Sequence, residues 1–333
     1  MTSSEKQLTD YTLKPYVDSV IALEIPQSSA GARLDNALAG LLPEYSRSRI
    51  QVWIKQASVQ VNGRLFSAKD KVWGGERVII HPEQHPAELP SLPEAIPLEI
   101  IHEDEAILIL NKPAGLVVHP GSGNWQGTLL NALLHYAPGL TQIPRAGIVH
   151  RLDKDTSGLM VVAKTLAAQT HLVRQLQARS VKRIYWAVVQ GIIEQDGMVD
   201  SPVGRHPSQR TKMAVVANGR SAVTHYSILD RFVSSSLVRC MLETGRTHQI
   251  RVHMQAIGHP LVGDAVYNRS RAHDIDCVRN FPRQALHATE LGLIHPAGGQ
   301  LMQWRSPVPD DFNRLLDCLA QDKAARQGNP AYT

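Results

Sequence analysis

The densest run of reactive side chains is His150-Arg151-Leu152-Asp153-Lys154-Asp155-Thr156-Ser157-Gly158. Apolar segments flank it, Gly147-Ile148-Val149 before and Leu159-Met160-Val161-Val162-Ala163 after. A carboxylate presented at a strand end can act as a nucleophile or a general base, and Asp153 stands where such a group would be needed. A competing chemistry is phosphoryl transfer on a D-x-D loop, with Asp153 and Asp155 holding Mg²⁺. That reading expects Thr or Val two residues beyond the second Asp, whereas Ser157 stands there and Thr156 comes one place early. It also expects a doubly wound sheet, which the sequence does not suggest. A charged run between two strands also fits a solvated turn.

Other segments supply groups that could serve Asp153. In Glu243-Thr244-Gly245-Arg246-Thr247-His248-Gln249-Ile250-Arg251, Gly245 ends a strand and Thr247 can cap a helix whose first turns carry Ile250 and Arg251. Burial raises a carboxyl pKa and a nearby cation lowers it, so a cation such as Arg251 would keep Asp153 ionised; otherwise Arg251 is a surface residue on a helix. Tyr185 follows Lys182-Arg183 and opens an apolar strand, where it either packs in a core or offers a ring face to a base. Arg151 can pair with an acid such as Asp155, or reach a phosphate. His248 and His253 are five apart, and His119 and His150 are isolated, so the spacing of a helix-borne metal site is missing and no metal is expected.

A second concentration of charge lies near the N-terminus. Between Gly31 and Ile80 there are eight basic residues against four acids, most of the excess of the whole chain. Ser46 can cap a helix from Ser46 to Ala57, which places Arg47, Arg49 and Lys55 on a basic surface suited to phosphate. A solvated helix face would look similar.

The elements that must carry these groups fall into two blocks. Leu34, Leu38, Leu41 and Leu42 recur at helical spacing, as do Ile50, Trp53 and Ile54. Val59-Gln60-Val61 runs into the tight-turn signal Asn62-Gly63, and Arg77 to Ile80 closes a small sheet. Residues 20–81 therefore read as a compact helix-helix-sheet unit. Five prolines within Pro82–Pro97, with three glutamates and no Lys or Arg, read as an extended linker, 82–97. Beyond it, 98–322 shows strands at Ala106–Leu110, Gly158–Ala163, Ile184–Val189, Ala222–Ile228 and Leu237–Leu242, with a helix over Leu166–Arg179. No regular strand-helix alternation appears, so an α+β fold on a largely antiparallel mixed sheet is expected, flanked by helices and loops. Residues 1–15 and 323–333 read as flexible tails.

Composition bounds the rest. The chain has 333 residues, 43% hydrophobic and 20% charged, with a net charge of +5 that permits a polyanionic partner. Apolar runs are far below the ~20 residues that span a bilayer. The polar N-terminus shows no signal-peptide block, so a cytoplasmic protein without a membrane partner is expected. Three cysteines, far apart and odd in number, predict neither a disulfide framework nor a thiolate zinc site.

Two resemblances sharpen this reading. Arg33-Leu34-Asp35, Tyr45-Ser46-Arg47-Ser48-Arg49 and Val59-Gln60-Val61-Asn62-Gly63 resemble the S4 RNA-binding domain, which implies that the first unit holds structured RNA. His150-Arg151-Leu152-Asp153 with Thr156-Ser157-Gly158 resembles the active-site signature of RluA-type pseudouridine synthases, which isomerise uridine in RNA to its C-glycoside. Val118-His119-Pro120-Gly121, Pro144-Arg145-Ala146-Gly147, Arg205-His206-Pro207 and Glu243 to Met254 extend the match over about residues 20–320. They resemble the D branch, which acts on large-subunit ribosomal RNA.

The resemblance implies that Asp153 is the essential catalytic group and that Arg251 pairs with it. It further implies that Tyr185 stacks on the uracil and assists its C5 proton, and that Ile250 packs against the flipped base. Arg151 would fill the vacated space or grip a phosphate. The implied partner is 23S ribosomal RNA or the assembling large subunit, at several uridines of the helix 69 stem-loop, with a monomer as the working form. The isomerisation is intramolecular, so no cofactor is implied. Attack at C1′, attack at C6 and removal of the 2′ proton all remain open for Asp153. The rivals are the C branch, which modifies other sites of the same RNA, and a non-catalytic RNA-binding assembly factor on the same scaffold.

Overall fold

A computed structural model describes residues 20–82, 91–121, 123–209, 211–268 and 275–327. The chain divides into two compact units, 1–89 and 90–333. The expected tail at 1–15 and most of the first half of the proline-rich linker lie outside the described residues.

The first unit contains β1 (Ile21–Glu24), α1 (Leu34–Leu41), α2 (Arg47–Lys55), β2 (Val59–Val61), β3 (Arg64–Leu65) and β4 (Arg77–Ile80). Its antiparallel sheet runs β1-β4-β2-β3. Ser46 caps α2 by accepting from the Arg49 amide, as its position predicts. Asn62 and Gly63 both take positive φ, 48° and 74°, the geometry of a two-residue hairpin turn. The Asn62 side chain locks this turn by accepting from the Arg77 amide. Leu34, Leu38, Ile50, Trp53, Ile54, Val59, Val61, Val78 and Ile80 form one core. β1 is an addition to the expected element order; its short alternation of half-buried and exposed residues gave little signal.

The second unit contains β5 (Glu99–Glu103), β6 (Ile107–Lys112), α3 (Leu129–Tyr136), β7 (Ser157–Ala163), α4 (Leu166–Gln177), β8 (Lys182–Gln190), β9 (Gly197–Asp200), β10 (Val203–Arg205), β11 (Met213–Val215), β12 (Val223–Arg231) and β13 (Ser235–Leu242). It continues with α5 (Gln249–Ala256), α6 (Asp276–Arg279), β14 (Leu286–Ile294), β15 (Leu301–Arg305) and α7 (Asp310–Gln327). Among the described residues the main sheet runs β5-β6-β7-β14-β8-β13-β12-β9, with β15 added on β14. Every pairing in it is antiparallel except β7 with β14. The expected α+β architecture is therefore present.

β7 is buried along its whole length, which explains its unbroken apolar run. Its residues alternate between two cores: Met160 and Val162 join Leu108, Leu110, Tyr185, Val238 and Ile250, while Leu159, Val161 and Ala163 join Ile107, Ile109 and Leu172. Gly158 has φ +117°, and a Cβ there would meet the Ala288 backbone at 2.4–2.7 Å. The parallel contact of β7 with β14 thus needs a glycine at the end of the reactive segment.

Three expectations are corrected. Residues 91–98 are not a free linker: the Leu92 carbonyl accepts from Asn131 Nδ2, the Glu94 amide donates to the Asn131 carbonyl, and the Glu94 carboxylate takes the Gly127 amide. Proline removes donors, but the remaining polar groups of this stretch still find partners on the start of α3. The C-terminal boundary at 322 also moves, because α7 runs to Gln327. Lys323 pairs with Asp230 at 2.8 Å and Arg326 with Asp322 at 3.1 Å, so polar residues that read as a tail hold a helix in place. Finally, Cys277 and Cys318 form a disulfide. They are 41 residues apart and become neighbours only where α6 and α7 share a core around Phe312 and Leu315. Cys240 is buried and free, and burial pushes its thiol up to about 12.

Candidate active site

Asp153 lies in the turn before β7, partly open to solvent, with its carbonyl accepting from the Thr156 amide. Each neighbour in the 150–158 segment has a structural task. His150 Nε2 accepts from the Val161 amide at 3.1 Å, and burial, reinforced by the charge of Arg183, pushes its pKa down to about 3. The ring is therefore a neutral acceptor that ties the segment back to β7. Thr156 Oγ1 accepts from Gln284 at 3.1 Å, and Ser157 Oγ lies 2.9 Å from His287 Nδ1. Arg283 donates to the Asp155 carbonyl at 3.1 Å and is itself gripped by Asp311. The solvated-turn reading fails for the end of the segment and for Leu152, because Leu152, Thr156, Ser157 and Gly158 are buried.

Arg251 reaches Asp153 from α5, with Nη1 donating to Oδ2 at 2.9 Å. Its other edge makes a two-pronged pair with Asp264, Nε at 2.7 Å and Nη2 at 2.9 Å. The Asp264 side chain is fully buried, and the Val266 and Tyr267 amides donate to it as well. Burial alone would lower the Arg251 pKa; Asp264 and then Asp153 outweigh it and raise it. The guanidinium is therefore a permanent, oriented cation beside Asp153, and a surface placement is excluded.

The α5 start differs from expectation. Thr247 is exposed and does not cap the helix; the residue before Gln249 is His248, in the left-handed region at φ 56°. Gln249 does the work of a cap. Its Oε1 accepts from the Arg246 amide at 2.9 Å and from Thr244 Oγ1 at 2.7 Å, while its Nε2 donates to Val223 O and Thr224 Oγ1. This turn brings His248 Nε2 to 3.8 Å from Asp153 Oδ1. Tyr267 OH accepts from the Met213 amide at 2.9 Å and lies 2.7 Å from His248 Nδ1, which fixes the ring beside Asp153. Burial lowers the His248 pKa and favours the neutral ring.

Tyr185 and Ile250 share one core, next to Leu152. Burial raises the Tyr185 pKa; the Arg183 charge opposes this, and the Asp153 charge adds to it. Arg151 is exposed and makes no ion pair with Asp155 among the described residues. The structure therefore brings together Asp153, Arg251, Tyr185 and Ile250, with Arg151 open at the neighbouring position.

Asp264, Tyr267, Gln249 and Lys112 were not singled out by sequence reasoning, and His248 was weighed only as a metal ligand. Lys112 had a signal, a lysine closing an apolar strand. It is fully buried, and its Nζ donates to Pro113 O, Leu116 O and Lys154 O at 2.7–2.9 Å. Burial pushes its pKa down to about 7 against the pull of Asp155 and Asp153, while three carbonyl acceptors call for a full ammonium. Lys112→Met is expected to leave these carbonyls unpaired and cost about 2–4 kcal/mol, read as a lower urea midpoint; an unchanged midpoint would refute this brace.

The candidate RNA-binding residues Arg47, Arg49 and Lys55 belong to the first unit. Arg47 is not free, since it donates to Asp35 at 2.8 Å, joined there by Arg33 and Gln51. Arg49 lies over the Trp53 ring at 5.3 Å, and Lys55 is exposed at the helix end. Burial pulls the Asp35 pKa up, but bonds from Arg47, Gln51 and Arg33 outweigh it and hold the carboxyl down at about 2. A depressed carboxyl contributes stability that is present above its unfolded pKa of ~3.9 and lost as pH falls through the folded value. Between pH 4 and pH 2 the urea midpoint of the first unit is therefore expected to fall, and Asp35→Asn to flatten that dependence; equal slopes for both proteins would contradict it.

Comparison with known proteins places these features. A family model described as RNA pseudouridylate synthase matches residues 106–256, and one described as S4 domain matches residues 32–78. The ribosomal large subunit pseudouridine synthase D of Nitrosomonas europaea is 57% identical over 91% of this chain and 88% of its own length. That of Pseudomonas aeruginosa is 54% identical over 92% and 98%. Among solved structures, human RNA pseudouridylate synthase domain containing 4 aligns with a TM-score of 0.54 and 27% identity, covering 67% of this chain and 93% of its own.

Proposed function

The chain belongs to the RNA pseudouridylate synthases, of the RluA type with an S4 domain, and from that premise we propose that it isomerises uridines of large-subunit ribosomal RNA with Asp153 as the catalytic group. The observation that carries this reading is the Asp153 carboxylate held by the doubly anchored Arg251, with Tyr185 and Ile250 beside it.

The reaction breaks the C1′–N1 bond, turns the uracil and forms C1′–C5; C5 loses its proton to the surroundings and N1 takes one up, so the product is an isomer. Nothing is oxidised and no group leaves. Arg251 sets a permanent cation against Asp153 and fixes its orientation, so the carboxylate is placed to attack the nucleotide or to remove a proton. The uridine must first leave its stack. Arg151, exposed and without an acidic partner among the described residues, is suited to occupy the vacated position. Tyr185 offers a ring face to the base, and burial, by raising its pKa, keeps the phenol neutral as it stacks. Ile250 supplies the apolar wall.

The S4 unit would dock structured RNA through its basic helix surface. The resemblance of the sequence motifs to the D branch implies the helix 69 stem-loop as the target. Work on ribosomal RNA would place the chain in the cytoplasm. Among the described residues no helix is long and apolar enough to cross a membrane. The test is tritium release from 5-³H-uridine-labelled, unmodified 23S RNA and from precursor large subunits, followed by mapping of the modified sites. Release that maps to helix 69 is expected. Release at other sites would overturn the target assignment, and no release on either substrate would overturn the isomerase reading.

A further inference from the structure

Arg183 stands two residues before Tyr185 on β8, so both side chains leave the same face of the strand. Its charge acts on the Tyr185 phenol and on His150 of the catalytic segment, which places it at the edge of the site. Arg183 is only 7% exposed, yet it has no carboxylate partner among the described residues. Its hydrogen bond there is from Nη2 to the Glu243 carbonyl at 3.2 Å, and Nε is buried with no partner among them. The other buried arginines of this unit differ: Arg251 is gripped by Asp264 and Arg283 by Asp311. A buried guanidinium left in this state is expensive unless something else supplies the negative charge.

The surroundings add positive charge. Arg246 follows Gly245 in the same turn and donates from Nε to Ser221 O at 3.0 Å, next to the exposed Arg220. Arg179 takes one oxygen of Glu243 at 3.1 Å, and His225 lies 2.7 Å from the other, so this carboxylate is already occupied. Burial and the charges of Arg220, Arg179 and Arg183 together lower the Arg246 pKa, as expected where cations crowd together. Gly245 has no positive φ that would require glycine, but a Cβ there would lie 2.7 Å from Arg183 Nη1. A side chain at position 245 would therefore crowd the guanidinium.

Resting on the reading of the chain as an enzyme on ribosomal RNA, we propose that Arg183, Arg246 and Arg220, opened by Gly245, form a seat for a phosphodiester of the RNA strand that flanks the uridine at Tyr185. A guanidinium fork matches phosphate oxygens, and no carboxylate among the described residues competes for the charge of Arg183. The seat would hold the strand on one side of the extruded nucleotide and fix which uridine reaches Asp153.

The test uses the full chain and a substrate stem-loop in which single phosphodiesters near the target are replaced by uncharged methylphosphonates. For the unaltered enzyme, one such replacement is expected to weaken binding about tenfold, while Arg183→Gln shows no further loss at that linkage. Arg183→Gln should also flatten the salt dependence of binding by about one counterion. Gly245→Val should give the same affinity loss without changing net charge, and the exposed Arg220→Gln a smaller one; these two serve if Arg183→Gln fails to fold. An Arg183→Gln or Gly245→Val protein with unaltered affinity, salt slope and linkage sensitivity would overturn the seat. Tritium release by the unaltered enzyme, read in parallel, separates the two levels. Release with an unmoved variant profile removes the seat alone, and no release removes the isomerase reading and the seat with it.

Discussion

Asp153→Asn is expected to lower tritium release by at least about 10³-fold while leaving the fold and RNA affinity within a few-fold of the unaltered protein. The amide is nearly isosteric and its oxygen can still accept from Arg251 Nη1. Arg251 keeps its two bonds to Asp264, so no buried charge loses its partner. What disappears is the negative charge that every version of the chemistry requires. Single-turnover release with binding measured separately checks this, and an Asp153→Asn protein that still releases tritium at near the original rate would remove Asp153 from the mechanism.

Replacing Arg251 should act in a different way. Asp264 has a fully buried side chain and depends on Arg251 for its counter-charge. Arg251→Met leaves that carboxylate stranded, with an expected loss of about 3–5 kcal/mol in unfolding free energy, and it deprives Asp153 of its orienting cation. Activity and stability should therefore fall together. The double variant Arg251→Met with Asp264→Leu should recover much of the stability, because an apolar pair of similar volume avoids the stranded charge, but none of the activity. Urea denaturation beside tritium release separates the two effects. A stable Arg251→Met protein would show that Asp264 finds another counter-charge.

The contrast between these two aspartates shows what could be read in advance. Asp153 was legible because its neighbours form a dense polar motif at a strand end, and a motif is a local property of the chain. Asp264 sits in Val262-Gly263-Asp264-Ala265-Val266, a stretch with nothing around it to suggest chemistry. Its importance comes from Arg251, thirteen residues away and reached across a turn. Arg47 shows the converse. It read as a free basic residue at a helix start, yet Asp35, twelve residues earlier, holds it. Charge counted along a chain does not reveal which cations are already paired. The same limit explains the Cys277–Cys318 bridge, where separation in sequence gave no hint of proximity.

The sequence by itself determined the two-unit organisation, the α+β class and the reactive segment around Asp153. These follow from hydrophobic period, turn residues and side-chain chemistry, all carried by a few consecutive residues. Tertiary structure alone decided that Arg251 is clamped between two carboxylates, that Gln249 rather than Thr247 finishes the start of α5, and that Lys112 braces the loop beneath Asp153. It alone left Arg183 buried without an acid among the described residues. Each of these is a matter of which distant polar groups share a low-dielectric space, and there pairing or its absence is worth several kcal/mol. No local pattern encodes that sharing, because it exists only once the strands have been laid side by side.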